Sequence, residues 1–259
     1  MIKLTKVESI KKDAPALILI PGGPGLSSST LRSMDILSRS FNLFYVDFPG
    51  VNGTPYDGDK SFDELSRALE FELLKINGPK FVLGHSFGGF FAANLSLKMK
   101  VDGVICLATP FTEKSLDAAG ENYTAKKSQE LSCAEAEWEK LQDDKSLAKW
   151  FSEYGKLYFV KSEGKEMLLK DKVSAKFFLA NRADAANIEP MLSLLRQDKT
   201  KKIFIAGKQD EMLPETILKN DAYLGGFDFV SVNDASHFVT FDQPESVAGL
   251  IEDFMRQKP

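Results

Sequence analysis

The chain of 259 residues holds only two histidines, two cysteines and two tryptophans, and it has no long apolar segment. No purely apolar run exceeds the five residues of Ala16–Ile20, far short of the roughly 18 needed to span a bilayer. Met1–Asp13 carries lysines but no apolar core of a leader segment, so a cytoplasmic location is expected. The 33 basic and 37 acidic residues nearly cancel, with a net charge of −4. Such a chain has no broad basic field with which to gather nucleic acid. Cys106 lies in an apolar run and Cys133 in a polar, helix-like stretch; two free thiols are expected rather than a bridge. Two cysteines and two histidines cannot complete a common zinc site unless carboxylates make up the count, and no metal or other cofactor is expected. The shortage of histidine is the most informative. Any mechanism that needs a base near neutral pH must choose between His85 and His237.

What is present is a regular alternation. Short apolar runs at Ala16–Ile20, Asn42–Asp47, Lys80–Leu83, Val101–Leu107, Lys202–Ala206 and Phe227–Val232 read as six strands. Helical spacing marks Phe62–Ile76, Phe90–Met99 and Pro244–Arg256, the last with proline in its first turn. Continuous apolar strands separated by helices predict an α/β fold, a mostly parallel sheet covered on both faces. The pattern changes after Thr109. Phe111–Asp198 is rich in Lys, Glu, Asp and Ala and shows helical periodicity without strands. The expected organisation is a core of residues 1–110 and 199–259, with residues 111–198 forming a helical cap inserted between two strands. Trp138, Trp150, Phe151, Tyr154, Tyr158 and Phe159 give the insertion apolar faces that either pack on the core or roof a pocket. Its acidic residues Glu135, Glu137, Glu139, Asp184 and Glu189 read as solvated helix faces.

Leu83-Gly84-His85-Ser86-Phe87-Gly88-Gly89 follows a strand and precedes a small-residue helix. This is G-x-S-x-G in the setting that gives it chemical meaning. A strand that turns at once into a helix strains the residue at the bend and leaves no room for side chains two positions to either side. The turn presents the Ser86 hydroxyl at the carboxyl edge of the sheet, beside a helix N-terminus that favours negative charge. A hydroxyl is a weak nucleophile until a base takes its proton. His85 adjoins Ser86 in sequence but points elsewhere in such a turn, so a packed neighbour is expected. His237 follows the last strand and precedes the C-terminal helix.

On these residues the chain resembles the α/β-hydrolase superfamily over nearly its whole length. Gly84–Gly89 looks like the nucleophile elbow of that family. Asp47–Thr54 looks like its recurrent Asp-x-x-Gly-x-Gly-x-Ser loop, with Asn52 in place of a glycine and Thr54 in place of the serine. Pro21–Gly25 resembles the His-Gly-Gly-Pro-Gly oxyanion loop of the proline iminopeptidase-like branch, with Pro21 where histidine is usual. The resemblance implies a triad of Ser86, Asp210 and His237, in the chain order of this fold, with Glu211 or Asp234 as the fallback acid. It implies the backbone amides of Gly23 and Phe87 as oxyanion donors. It also matches Glu211 to a glutamate with which some iminopeptidases bind the free amine of the substrate. The expected activity is hydrolysis of a small-molecule ester or amide. A proline iminopeptidase-like aminopeptidase acting on short peptides is one alternative. Thioester or C–C hydrolysis, a cofactor-free haloperoxidase-like reaction and a non-catalytic ligand-binding relative also remain open.

Overall fold

The computed structural model describes residues 1–182 and 188–256; Asp184, one of the acidic residues named above, lies outside them. Among the described residues, seven strands form one sheet in the order β1-β3-β2-β4-β5-β6-β7. They are β1 (Lys3–Val7), β2 (Ala16–Ile20), β3 (Asn42–Asp47), β4 (Lys80–His85), β5 (Gly103–Leu107), β6 (Lys202–Gly207) and β7 (Asp228–Val232). All neighbours run parallel except β1, which lies antiparallel on β3 at the edge. Six strands match the expected runs; β1 is an addition. Its sequence, KLTKV, leaves both lysines exposed and no residue fully buried. An edge strand of this kind carries little apolar signal.

The helices follow in chain order: α1 (Phe62–Leu74), α2 (Phe87–Lys98), α3 (Glu113–Lys126), α4 (Gln129–Leu141), α5 (Asp144–Gly155), α6 (Gly164–Leu169), α7 (Ala175–Asn181), α8 (Met191–Gln197), α9 (Glu215–Gly225), α10 (Val239–Asp242) and α11 (Pro244–Arg256). A 3-10 helix over Ser28–Arg39 precedes β3. Helix α2 starts three residues earlier than the periodicity suggested, directly after Ser86. It is buried from Phe87 to Ser96 with no polar face, so amphipathic spacing could not mark its start.

Alternation along the strands builds two cores. Ile18, Ile20, Val82, Val104 and Phe204 face α1, α2, α8 and α9, meeting Leu65, Leu69, Phe91, Leu195 and Leu218. Leu17, Leu19, Leu83, Ile105 and Ile205 face the 3-10 helix and α11, meeting Leu31, Met34, Val247 and Ile251. A third cluster joins Trp138, Leu147, Phe151, Leu168 and Phe178 to Leu26 and Phe238, over the ends of the strands. Thus α4–α7 contribute to a separate cluster above the sheet, while α8 belongs to the core below. No helix among the described residues is long and apolar enough to cross a membrane.

The chain leaves β2 toward β3 and β1, crosses back to β4, and continues the other way to β5, β6 and β7. The loops after β2 and β4 therefore part in opposite directions and open a crevice at the carboxyl ends of the strands. Buried carboxylates pin the surroundings. Asp47, at the end of β3, accepts from Ser28 N at 2.8 Å and Asn52 Nδ2 at 2.9 Å. Asn52 has φ +50°, a left-handed conformation that asparagine tolerates, so it can stand where glycine is usual. Asp221 of α9 accepts from Phe111 N (2.8 Å), Thr112 N (3.2 Å), Thr112 Oγ1 (2.7 Å) and Ser115 Oγ (2.7 Å), fastening the start of the insertion to the core. The variant Asp221→Ala leaves these donors unmet and should lower unfolding stability by about 3 kcal/mol. Urea denaturation measures this, and a loss below about 1 kcal/mol would show the anchor to be dispensable.

Candidate active site

Ser86 sits between β4 and α2 with φ +50° and ψ −121°, outside the regions open to ordinary residues. The neighbouring glycines make this bend possible. A Cβ on Gly84 would run into the backbone carbonyl of Gly88, and one on Gly88 into the carbonyls of Ile20 and Pro21. The Ser86 amide donates to Leu107 O at 2.8 Å and the Ser86 carbonyl accepts from Gly89 N at 2.8 Å, so the turn is held on both sides. Phe87 opens α2, where a backbone N–H has no partner within the helix. Across the crevice, Gly23 has φ +117°, and a Cβ there would stand 2.7 Å from Gly25 N. Only glycine lets that loop approach so closely.

Asp210 and His237 come from loops after β6 and β7. His237 Nδ1 donates to Asp210 Oδ2 at 2.9 Å, and both side chains are buried. Asp210 Oδ1 accepts from Met212 N at 3.0 Å and Leu213 N at 2.9 Å, which sets the carboxylate plane. This bond leaves the second ring nitrogen of His237, Nε2, on the side away from Asp210. Tyr158 stacks on the imidazole at 4.2 Å between centroids. Asp242, fully buried, accepts from Ser236 N at 2.9 Å and also from the Val160 and Lys161 amides at 3.1–3.2 Å. Phe238 N donates to Tyr158 O at 3.2 Å. The His237 loop and the segment after α5 are thereby joined at two points.

His85 is packed and buried, as expected of the residue before the bend. Its Nε2 lies 3.1 Å from the His237 carbonyl. A carbonyl only accepts, so Nε2 carries the proton and Nδ1 does not. Nδ1 faces Gly22, where a Cβ would stand 2.9 Å away. Burial, with a smaller contribution from His237, depresses the ionisation of His85 to about 3. A neutral His85 thus braces the backbone of His237 from below.

Gly23, Ser86 and His237 line one cavity of about 230 Å³. Its other walls are Leu26, Pro110, Leu116, Ala119, Trp150, Phe151, Tyr154, Tyr158, Leu168, Phe178, Leu213, Phe238 and His85. No Asp, Glu, Lys or Arg lines it among the described residues. Nor, among them, does a hydrogen bond join the Ser86 hydroxyl to the imidazole; such contacts commonly tighten only with substrate in place. The structure does not bring Glu211 to the cavity. Its side chain is 60% exposed and pairs with Lys126 at 2.9 Å. Of the fallback acids, Glu211 is thus engaged elsewhere, and it is Asp210 that meets the imidazole. Cys106 and Cys133 are both free, one buried and one exposed. Sequence reasoning placed Tyr154 and Tyr158 only among the insertion's aromatics, and no motif marks them as cavity residues.

A sequence model of the alpha/beta hydrolase family matches residues 17–250. A curated relative, phytyl ester synthase 1 of Arabidopsis thaliana, a chloroplast protein, is 27% identical over 103 residues. That match takes in 39% of this chain and only 14% of the relative. The chain superposes on an esterase from Thermogutta terrifontis with a TM-score of 0.73 at 18% identity, covering 98% of this chain and 93% of that one. It superposes on a proline iminopeptidase from Mycobacterium smegmatis with a TM-score of 0.67 at 16% identity, covering 99% and 94%. At such identities the two structures share the fold.

The depressed ionisation of His85 makes a prediction for stability. Between its folded value of about 3 and the ordinary 6.5, the unfolded chain binds a proton that the folded one refuses. Stability therefore falls as pH falls through that window. Between pH 7 and pH 5 the wild type should lose about 2 kcal/mol more than His85→Gln in urea titrations. Equal losses would mean that His85 is not held neutral.

Proposed function

Because the chain belongs to the alpha/beta hydrolase family, we propose that it is a serine hydrolase of small uncharged esters or amides, working through an acyl-enzyme. The observation that carries this reading is the buried Asp210–His237 pair beside the strained Ser86 in the wall of one cavity. Asp210 holds the proton on Nδ1, so Nε2 takes the Ser86 proton as Oγ attacks the substrate carbonyl. The Gly23 and Phe87 amides receive the oxyanion, each worth about 3–4 kcal/mol in the transition state. Collapse of the tetrahedral intermediate expels the alcohol or amine, which takes the proton from Nε2. Water then attacks the acyl-enzyme by the same relay and frees Ser86.

Helices α4–α7 act as the cap. Their aromatic side chains close the cavity above Ser86 and set the shape of the accepted acyl group. Among the described residues the wall carries no fixed charge, which favours a neutral substrate: a free amino terminus calls for a carboxylate, and Glu211 is taken up by Lys126 at the surface. Ester hydrolysis is therefore the stronger reading, and the iminopeptidase alternative finds no amine-binding carboxylate in the cavity among the described residues.

Wild-type protein should take a fluorophosphonate label that Ser86→Ala loses. His237→Ala and Asp210→Asn should remain folded while turnover of p-nitrophenyl esters drops by roughly 10⁴-fold. Near-normal turnover in His237→Ala would overturn the triad. Prolyl p-nitroanilide should be a far poorer substrate than the esters; the reverse order would restore the aminopeptidase reading.

A further inference from the structure

The cavity above Ser86 is walled mostly by carbon, with one polar exception in its roof. Tyr154 near the end of α5 and Tyr158 just beyond it stand four residues apart and point their hydroxyls at each other. Tyr158 donates to Tyr154 Oη at 3.0 Å. Tyr154 thus retains its own proton, and among the described residues no acceptor takes it. The adjacent indole offers none, because Trp150 Nε1 is itself a donor, directed to Tyr123 Oη at 3.1 Å. Burial raises the ionisation of Tyr154 to about 12, which keeps it a donor at neutral pH. Tyr158 is held in turn by its stack on His237, so the donor's position is coupled to the triad.

A wholly apolar ligand would seal this O–H away from any acceptor, and a ligand with an oxygen or nitrogen lone pair at that place would satisfy it. We propose that Tyr154 determines specificity: it donates a hydrogen bond to an uncharged acceptor atom on the substrate, away from the reacting carbonyl, and so selects apolar esters that carry one such atom. The proposal rests on the serine hydrolase reading and names its substrate class. A site built to satisfy a donor discriminates strongly against an isostere lacking the acceptor, whereas one methylene more or less in an apolar pocket matters far less.

The test compares esters in matched pairs, each alkyl chain set against the same chain with one methylene replaced by an ether oxygen. The p-nitrophenyl pentanoate, hexanoate and heptanoate series probes the acyl side, and butyl and pentyl butanoates probe the alcohol side. In the wild type, kcat/KM should favour at least one ether ester over its alkyl partner by about tenfold. That ratio should collapse to within about twofold in Tyr154→Phe. The single variant leaves the Tyr158 proton without an acceptor. The double variant Tyr154→Phe/Tyr158→Phe removes both hydroxyls and should show the same collapse, even if the single variant folds poorly. An active wild type without preference in any pair, or a preference that survives in either variant, would overturn the role of Tyr154 and leave the hydrolase reading standing. A wild type that hydrolyses no ester and takes no fluorophosphonate label would overturn both.

Discussion

The first turn of α2 lies so close to the ends of β2 and β4 that residues 84 and 88 can carry no side chain. The obstacles are backbone carbonyls, which cannot swing aside as the tip of a long side chain can. The chain must therefore pass from strand to helix within one residue, and the distortion collects at Ser86. A conformation of this kind costs on the order of 1–3 kcal/mol and persists only when the surroundings over-determine it. Here they do: Ile20 pairs with Gly84 in register, Leu107 accepts the Ser86 amide, and Gly89 closes the turn. With Ser86 set, the rest of the floor follows. Gly22 passes against Ser86 and His85 too closely for a side chain of its own, and His85 Nε2 reaches the His237 carbonyl.

The central strands were legible because burial on both faces demands continuous apolar residues, and Ala16–Ile20 and Lys202–Ala206 have them. β1 was not, because a half-exposed edge strand offers only Leu4 to one core and Val7 to the other, with exposed lysines between and before them. The Ser28–Arg39 helix was missed for another reason: its buried face opens on the polar residues Ser28 and Thr30, and Leu31, Met34 and Leu37 recur every three residues, the period of a 3-10 turn rather than of an α-helix. Around the cavity, Ser86 stood out through its glycines, while Asp210 and His237, which the structure brings into contact, were pointed to by the family resemblance. Glu211 shows the limit of adjacency. One residue from a buried carboxylate, it points into solvent, because Asp210 Oδ1 draws the following amides inward and turns the chain between them. The aromatics of the insertion were visible but undivided, since helical spacing looks the same whether a ring packs on a neighbour or faces an open cavity.

Several carboxylates lie far from water in this fold, and most act as fasteners rather than reactants. Asp171, close to the end of α6, receives the Ser27 amide at 2.8 Å and the Ser27 hydroxyl, tying the insertion to the loop that follows Gly23. Burial raises its ionisation against the pull of those donors. Asp221 does the same at the start of the insertion. A sequence gives no means of separating such residues from surface acids, because each of them is matched by amides and hydroxyls from distant segments.

Asp242 has a mechanical consequence. Its carboxylate holds the loop before the imidazole and the strand of chain just beyond the stacked phenol at once, and the Phe238 amide adds a second stitch between them. The phenol ring and the imidazole it covers are thus parts of one splint. If the roof lifts to admit a ligand, residues 158–161 must stay behind with the floor, and the swing has to pivot upstream of them. The phenol would then guard the imidazole from bulk water in the raised position as well as the lowered one.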